Sequence, residues 1–148
     1  MRDPVERRVL WPVPSPRELD SSVPGEIRDR FLEGSRCEIA QAFRGAAAMY
    51  RAAIEELCKD QGATKYSLYE KIDELSGRLG PDLIDDLHEA RMLGNDSVHQ
   101  GLIYSVDEVA DVAELIIEIA EHLYVQPARK AAMRQSRAQR RAAANASP

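Results

Sequence analysis

The chain has 148 residues, of which 44 % are hydrophobic but only 5 % aromatic. This suits a single domain that packs helices on alanine, leucine and isoleucine rather than a β-sandwich. Residues 128–148 carry six bases and no acid, while the remaining 127 residues carry 14 bases and 25 acids, and an acidic body with a basic tail excludes a broad nucleic-acid surface on the body.

Residues 1–24 read as an extended arm. Five of the eight prolines lie here, Pro4, Pro12, Pro14, Pro16 and Pro24, and proline removes amide donors and fixes φ. The arm holds the only tryptophan, Trp11. It either packs back over the domain's own core or serves as a docking peptide for a protein partner.

From Gly25 to about Ala40 the pattern is helical, with Ile27, Phe31 and Leu32 as the apolar stripe and Gly34 as an expected kink. A break near Ala42–Gly45 precedes a second helix over about 46–60. Ala47, Tyr50, Ile54, Leu57 and Cys58 recur there at helical spacing, and Gly62 supplies a stop. Arg51 and Glu55 stand four apart on this helix.

A third helix is expected over 67–79, with Leu68, Ile72, Leu75 and Leu79 on one side. Gly80-Pro81-Asp82 then opens a fourth helix, since proline suits a first helical position and an acid suits the positive helix end. This helix is expected to run toward Met92 and to end or bend at Gly94-Asn95. Ser105 and Glu108 form a capping box. They open a helix with Val109, Val112, Ile116, Ile119, Ala120 and Leu123 facing inward, expected to end near Tyr124–Pro127. The expected fold class is all-α, an antiparallel bundle of about five helices. Residues 128–148 form a basic tail rich in alanine and arginine, partly disordered or helical. Arg134, Arg137, Arg140 and Arg141 are its candidate contacts to RNA or to an acidic partner.

Cys37 and Cys58 read as small apolar core residues. With the three histidines scattered as well, no metal site and no cofactor is expected. His88 and His122 read as surface residues. A charged start and the lack of a long apolar run point to a cytoplasmic protein with no membrane association.

The stretch Arg91-Met92-Leu93-Gly94-Asn95-Asp96-Ser97-Val98-His99 is not dictated by packing. Arg91, Asn95 and His99 recur at helical spacing. They are a structural tie, with Gly94 ending or bending the helix, Asn95 capping the next turn and Arg91 pairing with Glu55 or a helix C-terminus, or the parts of a phosphodiester-cleaving site, or a site that binds a nucleotide or phosphate without catalysis.

Tyr50-Arg51-Ala52-Ala53-Ile54-Glu55, Ser67-Leu68 through Leu75, Arg91–Asn95 with Val98-His99, and Leu123–Arg129 together resemble a widespread prokaryotic helical domain of the HEPN-like group. The resemblance covers residues 24–129 and places the HEPN-like domain at 25–127. It implies a homodimer and a place in prokaryotic defence or nucleic-acid-related systems, where such domains occur alone or fused to restriction-endonuclease subunits. Many HEPN domains are metal-independent ribonucleases. In these, arginine braces the phosphate and histidine moves the 2′-hydroxyl proton. By that resemblance Arg91, Asn95 and His99 are the candidate catalytic residues, with Arg51 and Glu55 supporting them. Laid on the motif, Asn95 and His99 put Gly94 at the arginine position, and Arg91 lies one turn further upstream. The chain therefore reads first as an interaction and assembly module, and alternatively as an endoribonuclease with its site at a dimer interface.

Overall fold

The computed structural model describes the backbone of residues 14–99 and 105–146, and the side chains of 14–93 and 105–146. Trp11, most of the expected arm, and the side chains of Asn95 and His99 lie outside the described residues. The fold is all-α, and the described residues contain no strand. The helices are α1 (Gly25–Ile39), α2 (Phe43–Asp60), α3 (Leu68–Asp73), α4 (Pro81–His99), α5 (Val106–Ala120) and α6 (Gln126–Ala146), with a π-helical turn at Glu121–Val125.

Helices α1 and α2 form an antiparallel hairpin. Cys37 faces Gly45, Gly34 faces Tyr50, and Arg30 reaches Glu56. Gly34 does not interrupt α1, which is helical over Gly25–Ile39. It is there for contact, because a Cβ at this position would lie 2.6 Å from the Tyr50 ring. α2 is the central element and packs against α1, α3, α4 and α5. Its Tyr50, Ile54 and Leu57 join Ile27, Phe31, Leu87, Ile116 and Ile119 in one core. Gly62 ends α2 as expected: it adopts φ +95°, and the Ala63 N–H closes back on the Cys58 carbonyl.

Four expected boundaries differ, the first being that α2 begins at Phe43, inside the break expected near Ala42–Gly45. α3 stops at Asp73, and hydrogen-bonded turns rather than helix carry Leu75 and Leu79 into the core. Ser76 and Gly77 are poor helix formers, which accounts for the early stop. α4 runs through the Gly94-Asn95 step to His99. One glycine costs a helix about 1 kcal/mol, which does not end it when both flanks are helical. The helical run that α5 opens does not stop at Tyr124–Pro127. Its capping box forms in both directions, and at the far end the Gln126 N–H bonds the Glu121 carbonyl in a widened turn. Pro127 lacks an N–H and its ring crowds the carbonyl four residues back, so a π turn just before it lets the helix continue. Residues 106–146 thus form one helical run, about 60 Å long at 1.5 Å per residue.

The segment ahead of α1 is tied down where it is described. The Arg17 N–H donates to Ser35 Oγ at 2.6 Å, and its guanidinium pairs with Glu38 and Glu114. No helix among the described residues is long and apolar enough to cross a membrane.

Candidate functional site

The candidate residues sit where α2, α3 and α4 meet. α2 contributes Arg51 and Glu55. α3 contributes Tyr69, Lys71 and Asp73, and α4 contributes His88 and Arg91. Tyr69 and Asp73 stand four apart, and His88 and Arg91 three apart, so each pair presents to the facing helix.

Arg91 is half-buried, and its guanidinium carbon lies 5.2 Å from the centre of the Tyr69 ring. Such a stack contributes about 0.5–1 kcal/mol at a partly exposed site. The Arg91 carbonyl accepts a hydrogen bond of 3.0 Å from the Arg51 guanidinium. Arg51 therefore does reach this region from α2, but it holds backbone and not a ligand. Glu55 does not pair with Arg91. It takes Lys71 at 3.1 Å and Lys59 at 3.8 Å. Lys71 is buried, and its ammonium also donates to the Tyr66 carbonyl at 3.1 Å. That near cation captures the Glu55 carboxylate that the sequence offered to Arg91.

The Lys71 hydrogen bond holds the Glu55 carboxyl below its ordinary value of 4.5. Its folded value lies below its unfolded one. The stabilisation is therefore present above about pH 4.5 and lost as pH falls through the folded value. Glu55 is more than a third exposed, so solvent screening limits the contribution to about 0.5–1 kcal/mol. Urea unfolding at pH 7 and pH 3 is expected to show that loss in the wild type. Lys71→Met is expected to show a smaller acid-side decline, and an unchanged decline would remove this role from the pair.

His88, read as a surface residue, is half-buried. Its Nε2 lies 2.8 Å from Asp73 Oδ1, its ring centre lies 4.6 Å from that of Tyr69, and its side chain is 18 % exposed. Among the described residues, His88 Nδ1 and Arg91 Nε are buried without a hydrogen-bond partner. Being buried, neither atom is open to a substrate. Sequence reasoning missed Tyr69, Asp73 and His88 as a group. The available signal was two polar pairs at helical spacing on successive helices joined by a short connection. His122 is exposed, as read from the sequence.

Because α4 is continuous, Arg91 and His99 are eight residues apart on one helix, about 12 Å along its axis. The expected break at Gly94 that would bring them together is absent. Arg134, Arg137, Arg140 and Arg141 lie exposed on α6. Cys58 is buried, and desolvation pushes its thiol up to about 12, so it serves as core; Cys37 is half-buried.

The family model of a domain of unknown function, DUF4145, matches residues 33–136. No curated protein and no solved structure matches the chain.

Proposed function

The chain belongs to the DUF4145 family of domains of unknown function, and from that premise we propose that it is an interaction and assembly module that acts through its surfaces. The observation that carries this reading is α6. It is a helix of 21 residues, exposed at every position except the partly shielded Ser136, and among the described residues its only packing contact is with the π turn that precedes it. An isolated helix of this composition is marginal in water, and a partner surface is what stabilises such an element. The Arg91 region fits the same reading. There Arg51, Tyr69 and Arg91 join α2, α3 and α4 and so fix the body that carries α6.

In this proposal the module is HEPN-like, pairs with a second copy, and works in the cytoplasm within a prokaryotic defence or nucleic-acid-related system. The support is the resemblance carried by Tyr50–Glu55 and Arg91–His99. Trp11 is proposed as a further contact to a protein partner.

One observation favours a second reading, a metal-independent endoribonuclease. Arg91, Asn95 and His99 occupy positions four apart along a single helix, two full intervals from first to last. In this reading Arg91 of one subunit braces the phosphate while His99 of the other, oriented by Asn95, takes the 2′-hydroxyl proton; the 2′-oxygen attacks phosphorus, and the 5′-oxygen leaves as an alcohol protonated from solvent, which gives the cyclic phosphate. A gel assay of RNA cleavage in EDTA separates the readings. The assembly reading expects intact RNA with the wild type, Arg91→Ala and His99→Ala alike, the variants differing only in stability or assembly. Cleavage that leaves cyclic phosphate ends and is lost in both variants would overturn it.

A further inference from the structure

We infer that α6 of one copy lies in the groove between α4 and α5 of a second copy, and reciprocally, so that two α5–α6 rods pair antiparallel. This rests on the assembly reading above and names the surface that carries it.

The groove has a volume of about 460 Å³. Ala90, Leu93, Val112 and Leu115 give it an apolar floor, and Asp86, Glu89, Glu108, Asp111 and Glu118 line its edges with carboxylates. An apolar floor between acidic edges fits a basic amphipathic helix. The chain contains one, namely α6. Its own α6 continues α5 through the π turn and makes no contact with α4 or α5 among the described residues. The occupant in this proposal is therefore the α6 of another copy.

The register is written in the spacing. Glu108, Asp111, Leu115 and Glu118 on α5 follow one another at intervals of three, four and three. Lys130, Met133, Arg137 and Arg140 on α6 repeat the same intervals. With the two rods antiparallel about position 124, Glu118 faces Lys130, Leu115 faces Met133, Asp111 faces Arg137 and Glu108 faces Arg140. Every acid meets a base. Met133, a large hydrophobic left 51 % exposed on α6, meets the leucine of the groove floor. A parallel pairing of the same stripes sets Leu115 against Arg137 and Asp111 against Met133, so the charges select the antiparallel arrangement. The centre of the pairing falls on Tyr124 in the π turn, and this turn sets how α6 is rotated relative to α5. A two-fold axis there makes the contact isologous and closed, as a dimer requires.

Charge reversal on the full-length chain tests the proposal. One variant carries Lys130→Glu and Arg137→Glu, and a second carries Asp111→Lys and Glu118→Lys. All four positions are exposed, so circular dichroism is expected to show both variants folded. In sedimentation velocity at about 0.1 M salt, the wild type is expected to be a dimer. Each variant alone is expected to be a monomer, with dimerisation weakened at least 100-fold. An equimolar mixture of the two is expected to recover the dimer, and so is the chain that carries all four changes.

Variants that remain dimers would overturn this interface while leaving the assembly reading in place. A monomeric wild type would overturn both. A mixture that stays monomeric while the four-change chain becomes more compact would assign the groove to the chain's own α6, folded back. A labelled RNA oligonucleotide bound by the wild type and lost by the first variant, with no change of protein mass, would assign α6 to nucleic acid. Either result overturns the proposal.

Discussion

Phe31→Ala is expected to destabilise the protein by about 3–5 kcal/mol, the range for removing a fully buried aromatic side chain. Phe31 is 0 % exposed, and its ring centre lies 5.3 Å from that of Tyr50. The two rings fill the seam between α1 and α2. Truncation removes the transfer free energy of the ring and leaves a void that helices already in contact cannot close. The consequence extends to function, because α2 carries the Arg51 that holds α4 at Arg91. Urea unfolding monitored by circular dichroism measures the loss, and a loss under 1 kcal/mol would contradict this account of the core.

Gly34→Ala is expected to destabilise as well, although alanine is the better helix former by about 1 kcal/mol. The added Cβ would sit 2.6 Å from Cδ1 and Cε1 of Tyr50 and 3.3 Å from Met49 Cβ. Tyr50 has no room to move away. It is 0 % exposed, and its hydroxyl donates to Glu38 at 2.7 Å. Overpacking of this kind costs about 1–3 kcal/mol, and the propensity gain offsets only part of it. The net expectation is a loss of about 1–2 kcal/mol. Gly77→Ala is the control, since a Cβ there meets nothing within 4 Å. A stabilised Gly34→Ala variant would show that α1 and α2 can separate at this point.

Apolar spacing made α1, α2, α4 and α5 legible, because each buries one face at helical period. The capping box at Ser105 and the stop at Gly62 were legible for a local reason: both motifs are written in adjacent residues. Gly34, Gly94 and Pro127 were read as breaks from local preference, but tertiary context decides their roles. Gly34 admits a neighbouring ring, Gly94 lies inside a helix long enough to absorb its cost, and a π turn accommodates Pro127. At the candidate site, Arg51 and Arg91 stood out as residues and do meet, through a backbone carbonyl. The Asp73–His88 contact joins residues 15 apart on different helices, and its only trace in the sequence is a polar pair at helical spacing on each of the two. Glu55 was misassigned because a nearer cation, the buried Lys71, was not visible from its spacing to Arg51.

We propose that this small acidic body with a projecting basic helix works by assembly. Light scattering on the full chain at micromolar concentration tests it most directly. A mass of two 16.5 kDa chains is expected at low salt, shifting toward one chain at about 1 M salt, where charge pairing is screened. A single-chain mass at every salt concentration would contradict it.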